Sequence, residues 1–222
     1  LLTLPYITRI LGSSVYGTFS IALNIVGYLQ VIVEYGFSMS ATRKAAINGR
    51  EGLDKTFTTV VLGRVLLLLL CLGVSIVYAL LNRDNIQLVI SFFILFTCLF
   101  GYCVQMNWVF QGMQEMKYIS IVNVIGRTVS TILIFVFVKS QNDLFLYCLL
   151  YSISPFLSGF IGLVLAQKKY KLHFIKVHFS YIINELKEGF FIFTKQLSSK
   201  VFGAIGVNFL GIYATSYEVG IF

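Results

Sequence analysis

Charged residues are scarce in this chain, at 12% of its 222 residues, which is about half the proportion usual in globular proteins. Hydrophobic residues account for 58%, and the mean hydropathy is +0.86. This composition is too apolar for a soluble globular domain and predicts a polytopic membrane protein. The apolar runs are long and unbroken, which predicts an all-α protein, because membrane β-strands alternate between apolar and polar residues.

Acidic residues and reactive motifs are few as well. Nine Asp and Glu stand against 17 Lys and Arg, but the basic residues cluster in a few connections, so we expect no nucleic-acid partner. The four cysteines lie in apolar segments, where they predict small buried side chains and not disulfides or a metal site. The sequence has no Asp-x-Asp pair, no nucleotide-binding Gly-rich loop and no His-Glu-x-x-His motif. We therefore expect no enzyme, no cofactor and no metal.

Six apolar runs are long enough to cross a bilayer, which takes about 20 residues of helix. An apolar stretch at residues 1–8 indicates the end of one further span, so the sequence predicts about seven transmembrane helices. Because the chain begins inside that stretch and without Met, we expect a fragment whose first span is truncated. The six runs are residues 15–33, 60–81, 87–106, 119–138, 144–166 and 189–210.

Lysine and arginine are distributed unevenly between the two ends of these spans. The connections at residues 39–59 and 167–188 carry four and five of them, and a shorter connection adds Lys117. The opposite connections carry three, at Arg9, Arg83 and Lys139. The positive-inside rule predicts that the Lys-rich connections are cytoplasmic. Within the second one, residues 179–188 fit either an amphipathic helix on the inner leaflet or a solvated linker.

Arg127 lies near the middle of the apolar run 119–138. A charge at that depth costs about 2.5–3.5 kcal/mol on insertion scales, and such a residue normally faces a protein interior or a watery cavity. Ser120, Asn123 and Ser130 share its helical face, while the opposite face is Ile, Val, Leu and Phe. The pattern predicts that Arg127 meets a polar and anionic partner.

Other spans carry polar stripes at helical spacing. One such stripe is usual in helix packing, but several of them favour a shared hydrophilic cavity. Its predicted cations, Arg127, Lys195 and Lys200, suit phosphate, and no carboxylate lies at mid-span. For the two lysines, reaching out to the membrane interface is the open alternative. The stripes are Ser20, Asn24, Gly27, Gln30 and Glu34; Cys98, Gly101, Gln105 and Trp108; Tyr147, Tyr151, Ser154 and Ser158; and Lys195, Ser199 and Gly203.

A weak internal repeat suggests how the chain is organised. Gly12 and then Tyr16-Gly17-x-Phe19 follow the first span, and Gly211 and then Gly220-x-Phe222 follow the last. We expect a second, parallel copy of the opening hairpin, as in many secondary transporters. This predicts an N-terminal transmembrane lobe at residues 1–188 and the start of a second lobe at residues 189–222.

Two motifs give the sequence a family resemblance. The stretch Pro5-Tyr6-x-x-Arg9-x-Leu11-Gly12 and the stretch Trp108-x-Phe110-Gln111-Gly112 resemble those of Wzx-type polysaccharide flippases of the MATE superfamily. The resemblance implies two lobes of about six spans each around a central cavity, with this chain covering the first lobe. It also implies the bacterial inner membrane, a lipid-linked oligosaccharide on undecaprenyl diphosphate as substrate for O-antigen or other surface polysaccharide, and a polysaccharide polymerase and chain-length regulator as partners.

On this resemblance we expect Arg127, Lys195 and Lys200 to bind the diphosphate, with Arg9 at the outer mouth. Further polar contacts are expected from Asn123, Asn24 and Gln105. Arg43 fits equally well as a residue that receives the diphosphate or as a charge that sets topology. Two other functions stay open. A cation-coupled multidrug antiporter of the same fold requires intramembrane acids, and a non-transporting scaffold subunit requires every polar stripe to be packed.

The orientation is tested by single cysteines that replace Asn48 or Asn142 in a cysteine-free background. Because positive connections are retained inside, a membrane-impermeant thiol reagent is expected to label Asn142→Cys in intact cells and to leave Asn48→Cys unlabelled. Permeabilised cells, in which both positions react, provide the control. Labelling of Asn48→Cys alone in intact cells contradicts the orientation.

Overall fold

The protein is a helical bundle in the computed structural model, which describes residues 3–203. No strand occurs within that range. Nine α-helices and one 3-10 turn follow one another there: α1 Thr3–Glu34, α2 Phe37–Asn48, α3 Leu53–Leu81, α4 Ile86–Phe96, α5 Cys98–Cys103, α6 Asn107–Gly112, α7 Met116–Phe137, the 3-10 turn Gln141–Asp143, α8 Leu144–Tyr170 and α9 Phe179–Gly203.

Five helical segments of the described chain are long and apolar enough to cross a membrane. The predicted membrane-spanning all-α fold is thus confirmed, whereas the count of about seven spans is not. The end of the predicted seventh span and the second copy of the repeat at Gly220 lie outside the described residues. The five segments are Thr3–Asn48, Leu53–Leu81, Ile86–Gly112, Met116–Phe137 and Gln141–Tyr170.

Gly12 interrupts α1 with φ 77 and ψ 161, a conformation that is essentially restricted to glycine. Before the break, the Tyr6 hydroxyl donates to the Val138 carbonyl at 3.0 Å. After it, the Phe19 ring packs against Tyr147 with 4.5 Å between ring centres. Helix α1 is therefore kinked at Gly12, and its two parts contact different elements.

Small residues bring α5, α7 and α8 into backbone contact. A Cβ atom on Gly101 would lie 2.4 Å from the Pro155 carbonyl oxygen, and one on Gly126 would lie 2.7 Å from the Ser154 carbonyl oxygen. The Ser130 hydroxyl donates to the Leu150 carbonyl at 2.7 Å. Such contacts hold helices together in lipid, where burial of apolar side chains gives little driving force.

The segment Ile86–Gly112 is called the fourth span here, because the sequence count takes residues 1–8 as the first. It is broken, although the sequence predicted one run over residues 87–106. It consists of α4, α5 and α6, and residues 104–106 between the last two are not helical. The break exposes backbone carbonyls that an unbroken helix would pair internally. These carbonyls bind a side chain of α3, described below.

The two Lys-rich connections lie at the same end of the bundle. The Asp54 carboxylate accepts the His173 amide at 3.0 Å, and Lys44 forms ion pairs with Glu185 and with Glu188, the latter at 3.1 Å. At this end, hydrogen bonding to the Lys169 ammonium group also holds the pKa of Glu115 below its usual value. Their common placement fits the prediction that both connections face one compartment.

The sequence predicted either a separate surface helix or a linker for residues 179–188, and the structure shows neither. They are the first part of one continuous helix, α9. The reason is tertiary contact: Ile182 and Glu185 are buried, and the Tyr35 and Phe193 rings stack with centres 4.4 Å apart. The predicted lobe boundary at residue 188 falls inside this helix and stays a prediction.

Close packing at Gly101 predicts a sharp cost for one added methyl group. Gly101→Ala is expected to destabilise the full-length protein by about 1–3 kcal/mol, because the new Cβ overlaps the α8 backbone. Gly73→Ala in α3 is the matched control, since nothing lies within 4 Å of its added Cβ. It is expected to be neutral or to stabilise by up to about 1 kcal/mol. Thermal unfolding in nanodiscs measures both, and equal melting temperatures contradict the packing account.

Candidate functional site

A polar cavity of about 630 Å³ lies between α1, the broken fourth span, α7 and α8. Its walls carry one cation, Arg127, among hydroxyl and amide groups, and no carboxylate belongs to the lining found in the described range. We call it the Arg127 cavity. Its lining is Thr3, Gln30, Tyr102, Gln105, Asn123, Arg127, Ser130, Thr131, Ile134, Tyr147, Tyr151, Ser154, Pro155 and Ser158.

The Arg127 side chain is exposed on the cavity wall. Of the carboxylates within residues 3–203, none lies within the 4.0 Å of an ion pair with it. An arginine that served only to hold the bundle together would need a partner of some kind, either a carboxylate or a set of backbone carbonyls, because an unpaired charge in a membrane is costly. In this part of the protein, the guanidinium group therefore remains available to an anion.

One face of α8 supplies a wall of aromatic rings and hydroxyls. Tyr147, Tyr151, Ser154 and Ser158 recur at spacings of four and three, so their side chains share a face, and all four line the cavity. The Phe19 ring packs on both tyrosines, with ring centres 4.5 and 5.3 Å away. This packing fixes the two rings at the cavity wall, where they present both an apolar face and a hydroxyl.

Lys195 and Lys200 lie in a second cleft, between α1 and α9, of about 580 Å³. A Cβ on Gly27 would lie 2.6 Å from the Lys200 Nζ, so the absence of a side chain there makes room for the ammonium group. Glu34 lines the same cleft, and Gln30 lines both this cleft and the Arg127 cavity. The three expected cations therefore occupy two neighbouring spaces rather than one.

Of the other expected site residues, some line the Arg127 cavity and others lie outside it. Asn123 and Gln105 line the Arg127 cavity. Arg9 is exposed and Asn24 is partly buried, and neither lines the cavity or the α1–α9 cleft. Arg43 lines a third space of about 790 Å³, between α2 and α9. The structure thus gathers Arg127, Asn123 and Gln105, and leaves Arg9 and Asn24 outside that group.

The polar stripe of the fourth span serves two purposes. Gln105 lines the cavity, whereas Trp108 is fully buried and Gly101 contacts the α8 backbone. The Cys98 thiol donates to the Ser152 hydroxyl at 3.3 Å. Three of the four positions therefore pack helices together, which is the usual role of small and polar residues in membranes.

Arg64, inside the apolar run 60–81, was not among the predicted site residues. It is 1% exposed. Its Nη1 donates to the carbonyls of Gln105 at 2.8 Å, Tyr102 at 3.3 Å and Cys103 at 3.4 Å. The signal was present in the sequence: an arginine inside an apolar run, the same criterion that singled out Arg127.

Comparison with known proteins gives a match along the whole chain. Residues 1–222 match the family described as "Polysaccharide biosynthesis protein". Two relatives, both named "Putative O-antigen transporter", are 30% identical over 222 residues in Shigella dysenteriae and 24% identical over 224 residues in Escherichia coli K12. Both alignments cover 100% of this chain, which spans about half the length of these curated relatives, at 56% and 54%. No solved structure matches the chain significantly.

Proposed function

The chain belongs to the polysaccharide biosynthesis protein family, and from this membership we propose that it works in a transporter of lipid-linked oligosaccharides. The substrate is an undecaprenyl-diphosphate-linked repeat unit, and the transporter moves it across the bacterial inner membrane for O-antigen or other surface polysaccharide. Two relatives named as O-antigen transporters support this proposal. A polysaccharide polymerase and a chain-length regulator are the partners proposed with it.

The observation that carries the proposal is the Arg127 guanidinium group, which has no ion-pair partner among residues 3–203 and lies in a polar cavity without acids on its described walls. A lipid-linked diphosphate brings at least two negative charges into a medium where an isolated ion is strongly disfavoured. A guanidinium group binds phosphate oxygens through two parallel hydrogen bonds. The polyprenyl chain stays in the surrounding lipid, because its transfer into a polar cavity would lose hydrophobic stabilisation.

The remaining groups of the cavity suit the sugar part of such a substrate. Asn123 and Gln105 offer amides, and Tyr147 and Tyr151 offer ring faces beside hydroxyls. Lys195 and Lys200 add positive charge in the neighbouring cleft. Because Gln30 lines both spaces, we propose that an anionic head group passes from one to the other along this residue. Arg9 and Asn24 stay proposed contacts at the outer mouth and along α1.

The two alternative functions fit these observations less well. A cation-coupled antiporter requires carboxylates in its cavity, and the acid that lines the α1–α9 cleft, Glu34, shares it with two lysines. A scaffold subunit requires packed stripes, whereas four polar positions of α8 line the Arg127 cavity. If the protein were a cation-coupled antiporter, Glu34 would be the described carboxylate on which that function depends.

Substitution of Arg127 in the full-length protein tests the proposal. Arg127→Ala is expected to lower export of the lipid-linked glycan by about thirtyfold or more, since losing one partner of a buried charge pair costs about 2–5 kcal/mol. Arg127→Lys is expected to keep partial activity, because it retains the charge without the bidentate fork. Arg127→Glu should fall below Arg127→Ala, because it repels phosphate. Surface polysaccharide in a strain lacking the native transporter is the measurement.

Membrane levels of each variant separate transport from folding. The control is Arg83→Ala, an exposed arginine between α3 and α4, which should export normally. Normal export by Arg127→Ala at normal abundance would exclude a role in substrate binding. Absence of that variant from the membrane would instead assign Arg127 to the stability of the bundle.

A further inference from the structure

The break in the fourth span lies at the wall of the Arg127 cavity. α5 ends at Cys103 and α6 begins at Asn107, and the side chains of Tyr102 and Gln105 line the cavity. In an unbroken helix, the Gln105 carbonyl would accept the Val109 amide. Here that amide donates to the Met106 carbonyl at 3.0 Å. The break thus frees backbone carbonyls inside the bundle.

Arg64 binds these carbonyls from the opposite side, on α3. Its shortest hydrogen bond, 2.8 Å, goes to the Gln105 carbonyl, and the bonds to Tyr102 and Cys103 are 3.3 and 3.4 Å long. Its Nη2 donates to the Ser38 hydroxyl of α2 at 3.0 Å. Carbonyls at a helix C-terminus carry partial negative charge. The carbonyls therefore offset the cost of burying the guanidinium group, and the guanidinium group offsets the cost of burying the carbonyls.

No described carboxylate forms an ion pair with Arg64. Its Nε also lacks a hydrogen-bond partner in the described part. Removing Arg64 would leave the Cys103 and Gln105 carbonyls without this donor, whereas the Tyr102 carbonyl would still accept the Gln105 amide at 3.3 Å. A buried carbonyl left unpaired costs more than the bond itself contributes. The chain would then relieve this cost by rearranging residues 104–106.

Arg64 does not line the Arg127 cavity, yet two of the three carbonyls it binds belong to residues that do, Tyr102 and Gln105. The direction of a side chain follows from its backbone, so a change at the break redirects Tyr102 and Gln105. We infer that Arg64 is a positioning residue of the cavity: it holds the broken fourth span in the shape that presents Gln105 and Tyr102 beside Arg127. That this matters for transport rests on the proposed function, whereas the geometric claim does not.

The experiment compares two reporter cysteines in a cysteine-free full-length protein, in which the four buried cysteines described here and any others are replaced by alanine. One replaces Gln105, at the break, and the other replaces Ser154, on α8. Both positions line the same cavity. The rate at which a small water-soluble methanethiosulfonate reagent modifies each cysteine reports its accessibility. The labelling requires no substrate, so it is independent of whether Arg127→Ala transports.

Arg64→Gln is expected to change the modification rate of Gln105→Cys by about fivefold or more, because the break loses its partner. The modification rate of Ser154→Cys should stay within about twofold of its value in the protein that retains Arg64. Arg64→Lys keeps the charge but has fewer donors, so the rate at Gln105→Cys in this variant is expected to lie between those of the parent protein and of Arg64→Gln. The control Arg83→Gln should change neither rate. An unchanged rate at Gln105→Cys overturns the inference. A parallel change at both cysteines also overturns it, since that is the result of general loosening.

Ser38→Ala keeps the test decisive if Arg64→Gln does not reach the membrane. It removes one acceptor of Arg64 and leaves the arginine in place. A change in the modification rate of Gln105→Cys that is smaller than the one expected for Arg64→Gln, with no change at Ser154→Cys, supports the positioning role. The absence of any shift at Gln105→Cys in this variant overturns it.

Discussion

The hydrogen bonds between Arg64 and the broken fourth span are the contact on which the cavity depends. A membrane protein cannot leave backbone carbonyls unpaired in an apolar interior, so a helix break there needs a partner. Arg64 provides it for Tyr102, Cys103 and Gln105. The break lies at the cavity, and the side chains of Tyr102 and Gln105 line the cavity there. Irregular backbone beside a cavity is the usual exception to helical spans, and it occurs at the binding sites of many transporters.

Two arginines inside apolar runs have opposite surroundings. Arg64 is buried and its charge faces backbone carbonyls, whereas Arg127 is exposed on a cavity wall without a described carboxylate partner. The first organises the protein and the second is available to a ligand. Sequence position does not distinguish them, because the difference depends on which helix packs against each side chain.

The sequence sufficed for features that depend on local pattern. It predicted the face of α8 with Tyr147 and Ser154 and the position of Arg127 on a polar face. The match along residues 1–222 confirms the family resemblance drawn from two short motifs. The break at residues 104–106 and the role of Arg64 were missed because they depend on each other through hydrogen bonds between two different helices. The continuity of α9 was missed because it depends on tertiary contacts with Tyr35 and Lys44.

The central claim is that the Arg127 cavity receives a diphosphate-bearing lipid, and cysteine protection tests it most directly. With a single cysteine replacing Ser154 in the full-length protein, undecaprenyl diphosphate should slow modification by a methanethiosulfonate reagent, whereas undecaprenol should not. The protection should be lost in Arg127→Ala, since the guanidinium group provides the charge that binds phosphate. Equal protection by both lipids, or protection that persists in Arg127→Ala, would contradict the account.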